Sequence, residues 1–105
     1  MKKFSYLLTI LSGLIFLATV SSCDRIKKSI DLLQADTAYN QANITKAIAI
    51  YKKLLKNDPD DPELNWKLGI AYFSNGEREN VKKQIVELRR LKNQKLADDL
   101  EQLLH

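Results

Sequence analysis

From Ile26 to Leu104 the apolar residues return every three or four positions, a spacing that suits the 3.6-residue turn of a helix and not the alternation of a strand. Ile26, Ile30, Leu33 and Thr37 mark one face, and Ile44, Ala47, Ile48, Tyr51, Leu54 and Leu55 mark a second, fuller one. A third face is given by Leu64, Leu68, Ala71 and Tyr72, and a fourth by Val81, Ile85, Leu88 and Leu91. After the polar break Lys92-Asn93-Gln94, a fifth follows with Leu96, Leu100, Leu103 and Leu104. The punctuation agrees: Gly76 stops a helix, while Asp61-Pro62-Glu63 supplies an N-cap, a first-turn proline and a first-turn acid. The fold class is all-α, with helices expected near 25–41, 44–57, 62–75, 78–91 and 95–104.

Helices of this length in pairs suggest a repeat, and an offset of about 34 residues aligns residue classes along the chain. Ala35 falls on Gly69, Tyr39 on Phe73, Ala42 on Gly76, Ala47 on Val81, Tyr51 on Ile85 and Leu54 on Leu88. "LGIAY", with Leu68, Gly69 and Tyr72, followed by Gly76, resembles the first helix of a tetratricopeptide repeat. Ala47, Tyr51 and Pro59 match the second half of such a unit, so that "AIAIYKKLLKNDPDDPEL" reads as the junction of two repeats. Small residues stand where helices cross closely, an aromatic fills between them, and a proline closes the pair. Two positions depart from the pattern: Trp66 lies one residue after the family's tryptophan position, which is Asn65 here, and Asn93 stands where a second closing proline belongs. A generic bundle of helical hairpins is the alternative.

The start of the chain has a different character. Met1-Lys2-Lys3 is followed by an uncharged, mostly apolar run from Phe4 to Val20, then by Ser21, Ser22 and the only cysteine, Cys23. A lone thiol closes no intramolecular disulfide, and with His105 as the only histidine it makes no ordinary zinc site. "VSSC" resembles the lipobox of bacterial lipoproteins, which implies cleavage before Cys23, lipid on its sulfur and acylation of the new amino terminus. The competing reading is an uncleaved anchor, because Phe4 to Ser22 would extend about 28 Å as a helix against a hydrocarbon core of about 30 Å. Both readings keep Lys2 and Lys3 cytoplasmic and place the rest outside the cytoplasm, tethered to the membrane. In proteobacterial lipoproteins an Asp after the lipidated cysteine favours retention in the inner membrane, and Asp24 fits that pattern.

Charge excludes more than it suggests. Removing Lys2 and Lys3 from the 17 basic residues leaves 15 against 13 acidic ones, and no aromatic-interleaved basic stripe marks a nucleic-acid surface. Lys82, Lys83, Arg89, Arg90 and Lys92 make the fourth helix basic, either as a solvated convex face or as a dock for an acidic partner. Arg25, Lys27 and Lys28 follow the anchor, where headgroup attraction and simple linker solubility are both adequate reasons. Asp58, Asp60, Asp61 and Glu63 cluster at the junction between repeats, where helix capping accounts for them better than a cation without EF-hand spacing. With Cys23 blocked by lipid and His105 terminal, no nucleophile set exists and no enzyme is expected. Nor is any cofactor expected beyond the covalent lipid on Cys23.

These readings divide the chain into a signal segment 1–22, a lipid-bearing linker 23–27, two tetratricopeptide repeats over 28–95 and a capping helix 96–105. Two repeats fall short of the roughly three that usually stand alone. The fifth helix is expected to cover the open end with Leu96, Leu100, Leu103 and Leu104 while Asp98, Asp99 and Glu101 face water; a homodimer is the other solution. The resemblance implies a concave groove lined by first helices, with Leu32, Asp36 and Tyr39 from one repeat and Trp66, Ile70 and Phe73 from the next. Trp66, Ile70 and Phe73 form a second greasy stripe on a helix already apolar toward its own core. It is either covered by the capping helix, the N-terminal helix or a second copy, or offered to an apolar peptide or helix of a partner. The expected function is a lipoprotein scaffold for protein–protein contacts at the bacterial cell envelope; the alternative is a permanent subunit of an envelope secretion or pilus-assembly complex.

Overall fold

A computed structural model describes residues 23–105, and among them there are helices and turns but no strand. Residues 23–40 are helical (α1), followed by α2 (Ile44–Asn57), α3 (Pro62–Ser74), α4 (Arg78–Arg90) and α5 (Gln94–Leu103). Residues 31–105 form one compact unit, and the described residues 23–30 belong to a second. The expected signal segment 1–22 lies outside the described residues.

Each helix end has a local cause. The Asp61 carboxylate accepts from the backbone N–H groups of Glu63 (3.0 Å) and Leu64 (3.2 Å), with Pro62 in the first position of α3. Asn43 and Asn93 play the same part for α2 and α5, accepting from Lys46 (3.4 Å) and Leu96 (3.1 Å). At the other ends, Ala42, Gly76 and Lys92 take left-handed φ values of 63°, 76° and 60°. The N–H of the residue after each then reaches back to a helical carbonyl: Asn43 to Ala38 (2.8 Å), Glu77 to Tyr72 (2.9 Å) and Asn93 to Leu88 (2.9 Å). These closures draw the last residue out of three helices, so α1, α3 and α4 end one residue earlier than the apolar pattern predicts, and α5 is displaced by one toward the N-terminus.

Packing follows the same period. Ala47 and Val81 are both 0 % exposed, Tyr51 and Ile85 are both buried, and so are Leu54 and Leu88. Ala35 and Gly69 are buried where helices approach, and the left-handed turns at Ala42 and Gly76 complete the set of equivalent positions. The architecture is all-α: two helical hairpins, α1 with α2 and α3 with α4, closed by α5. α3 lies against α2, α4 and α5.

One face was expected on the wrong side. Ile26, Ile30 and Leu33 are 58 %, 51 % and 66 % exposed, and Thr37 is exposed too; the buried residues of α1 are Ala35 and Ala38, with Leu32 and Tyr39 packed partly against the core. Leu33 and Ala35 are two residues apart, about 200° around a helix, so packing the small alanines turns the branched side chains outward. Alanine permits the close crossing that a leucine or isoleucine at the contact would prevent.

α5 closes the C-terminal end with fewer residues than its leucine spacing suggests. Ala97 and Leu100 are 0 % exposed, while Leu96, Leu103 and Leu104 are only partly buried against the core. Asp98 and Asp99 are exposed, but Glu101 does not simply face water: it pairs with Arg89 of α4. The position of α5 on α3 depends on Gly69, where a Cβ would overlap Leu100 Cδ1 and lie 3.0 Å from Cδ2.

Candidate functional site

The first helices of the two hairpins meet at a cavity of about 260 Å³ lined by Asp36, Tyr39, Asn40, Tyr51, Trp66, Lys67 and Ile70. Of the six groove residues expected from the repeat geometry, Asp36, Tyr39, Trp66 and Ile70 come together here. Leu32 instead packs partly buried against the core, and Phe73 is 37 % exposed outside the cavity lining. Asn40, Tyr51 and Lys67 were not anticipated as lining residues. Tyr51 was assigned to the core, and it belongs to both: its ring is buried while its hydroxyl reaches the cavity wall.

The charged part of this wall is internally satisfied. Lys67 Nζ donates to both oxygens of Asp36, at 3.1 and 3.0 Å, and the Tyr51 hydroxyl donates to Asp36 Oδ1. A cation, a carboxylate and a phenol therefore join α3, α1 and α2 at one point. Tyr39 and Ser74 hydroxyls lie 2.8 Å apart in a further contact between α1 and the end of α3. Trp66 and Ile70 supply the apolar floor, and the indole Nε1 of Trp66 is buried without a hydrogen-bond partner. A buried orphan donor costs about 1–3 kcal/mol, so it marks a place where a small rearrangement and an acceptor would be favourable.

Burial, the hydrogen bond to Asp36 and the charge of that carboxylate, with a smaller contribution from Tyr39, hold the Tyr51 hydroxyl well above the ordinary phenol range. The folded state then keeps this proton at a pH where the unfolded chain releases it, near pH 10. Its stabilising effect is complete below about pH 10 and is lost as pH rises toward the folded value. Tyr51→Phe is expected to cost about 1 kcal/mol at neutral pH and to flatten the alkaline loss, leaving the smaller part due to Tyr72, whose hydroxyl burial also raises. Thermal midpoints followed between about pH 8 and 11 check this; an alkaline loss unchanged in the variant contradicts it.

The first departure from the repeat pattern now has a structural reason. Asn65, at the family's tryptophan position, is 3 % exposed, and its Nδ2 donates to the carbonyls of Pro59 (3.1 Å) and Asp61 (2.9 Å). It ties down the turn between repeats, and the tryptophan one residue later points a large apolar side chain to the groove. At the same junction Asp61 caps α3 and Asp60 receives Arg90 at 2.7 Å. The basic character of α4 is largely spent on such pairs: Lys82 with Glu79, Arg90 with Glu87 and Asp60, and Arg89 with Glu101. Among the described residues, no group of three or more His, Cys, Asp or Glu side chains is arranged to hold a metal. Cys23 is exposed and closes no disulfide, and no helix of the described residues is long and apolar enough to cross a membrane.

Residues 35–76 match the family model described as TPR repeat. That span begins at Ala35, the first buried alanine of α1, and ends at the left-handed Gly76, which stands one period after Ala42. No curated protein and no solved structure matches the chain. Repeats of this family are generally non-enzymatic protein-interaction modules. Residues 35–76, with their paired helices and the matching turns at Ala42 and Gly76, are similar to the tetratricopeptide-repeat family.

Proposed function

We propose that the chain is a membrane-tethered scaffold that seats an apolar peptide or helix of a partner protein in the cavity between α1 and α3. The observation that carries this is the cavity itself: about 260 Å³ open beside Trp66 and Ile70, on the side of the hairpins that first helices line. Because Lys67 and Asp36 neutralise each other and Tyr51 donates to the same carboxylate, the wall offers contact area without a spare charge. An uncharged, apolar segment suits it better than a carboxylate terminus does. Tethering comes from the leader: residues 1–22 as a signal segment, lipid on Cys23, Asp24 retaining the protein at the inner membrane where two membranes exist, and residues 28–95 as the repeats outside the cytoplasm.

The test is recovery of partners from detergent-solubilised membranes with the wild-type chain and with Trp66→Ala. Deleting a tryptophan anchor typically costs about 2 kcal/mol or more, roughly a thirtyfold loss of affinity. Selective loss of a partner with a modest change in thermal midpoint supports the groove. A large loss of stability with partner recovery unchanged means that Trp66 serves only the core, and the groove is then not the binding surface. A single partner recovered at fixed stoichiometry points to a permanent subunit of an envelope complex instead of a scaffold for clients.

A further inference from the structure

The exposed isoleucines at the start of α1 have no part in either hairpin core. Ile26 and Ile30 are 58 % and 51 % exposed, and Cys23 is exposed as well. Positions 23, 26 and 30 are separated by three and then four residues, so within this helical stretch they fall inside an arc of about 60°. Lys27 flanks that arc, about 70° from its centre, and Arg25 stands farther round on the other side; both carry side chains long enough to reach sideways past the apolar stripe. Cys23, the lipid-bearing position of the tethering reading, is the first described residue of this helix. An apolar stripe with Lys27 at its border, Asp31, Asp24 and Arg25 farther round, and a lipid-bearing position at its start suits a helix that lies in the headgroup region of a bilayer.

We propose that Ile26 and Ile30 rest in the anionic headgroup interface of the membrane, extending the anchor at Cys23 along one face of the helix. The proposal rests on the tethering reading above, because the stripe reaches the bilayer only if the leader brings it there. Its consequence is orientation: an acyl chain alone lets the protein swivel, whereas a second row of contacts with cations beside it fixes which side of the helix faces lipid.

The experiment uses the full chain, purified from membranes and reconstituted in phosphatidylcholine vesicles with a minority of phosphatidylglycerol and bromine on the acyl chains. Trp66→Phe removes the only native tryptophan, and Ile30→Trp, Ile26→Trp and, on the opposite side, Lys28→Trp each report one position. The expected result is blue-shifted emission and bromine quenching for Ile26→Trp and Ile30→Trp, with emission from Lys28→Trp unshifted and unquenched. Both effects should weaken in vesicles of phosphatidylcholine alone. A chain that floats with the vesicles while positions 26 and 30 stay unquenched overturns the proposal and leaves the tether standing. Equal quenching at 26, 28 and 30 overturns it too, since no face is then selected. Blue-shifted but bromine-insensitive emission, together with a dimer on chemical cross-linking, overturns it in favour of a second copy covering the stripe. A chain that does not float at all refutes the tether and this proposal with it.

Discussion

Leu100→Ala is expected to lower the stability of the helical unit by about 2–5 kcal/mol, the range for truncating a buried leucine. Leu100 is 0 % exposed and occupies the space that the absent side chain of Gly69 leaves on α3. In a chain this small, about 1 kcal/mol moves the midpoint by roughly 4–8 °C, so the loss should be visible in a thermal melt followed by circular dichroism. The reciprocal change, Gly69→Ala, introduces a methyl group that overlaps Leu100 Cδ1. Overpacking of that kind costs about 1–3 kcal/mol, partly offset by the better helix propensity of alanine, about 0.5–1 kcal/mol. Because the new methyl group occupies part of the vacated volume, the double variant should lose less than the two single losses combined. Strict additivity would mean that α5 does not close the repeats through this contact.

Cys23→Ser is expected to have the largest effect on where the protein is found and in what form. The wild-type chain should appear in mass spectra without residues 1–22 and with added acyl mass on Cys23, and the variant should keep the leader and carry no lipid. An intact Met1 and no acyl mass in the wild type would refute the lipid anchor and favour an uncleaved span. Where the organism has two membranes, wild-type protein recovered mainly in the outer one would reject the sorting role of Asp24.

Much of the fold was legible because helix physics is local. The cap at Asp61 and the stop at Gly76 depend on residues within one turn, and the 34-residue equivalence of Ala47 with Val81 or Leu54 with Leu88 needs only a regular period. Ala42 and Gly76, which align one repeat apart, take the same left-handed turn in the structure. Part of the cavity lining was legible as well: Asp36, Tyr39, Trp66 and Ile70 follow from the repeat resemblance and helix spacing.

What escaped the sequence depends on contacts between distant helices. Periodicity shows that a helix has an apolar face but not what that face meets, so Ile26, Ile30 and Leu33 pass as core residues although Ala35 and Ala38 are the buried residues of α1. Lys67 and Asp36 are 31 residues apart, and Tyr51 and Asp36 are 15 apart, so nothing local foretells their meeting. Asn65 reads as a flaw in the tryptophan position until its hydrogen bonds to Pro59 and Asp61 are seen. The sequence by itself determined the helices and their period, and most helix ends to within about one residue, because hydrogen bonding and side-chain spacing act within a turn. The tertiary structure decided the rotation of α1, the charge-neutral wall beside Trp66 and the seat of Leu100 on Gly69, because close packing of helices is settled by which side chains are small enough to let two backbones approach.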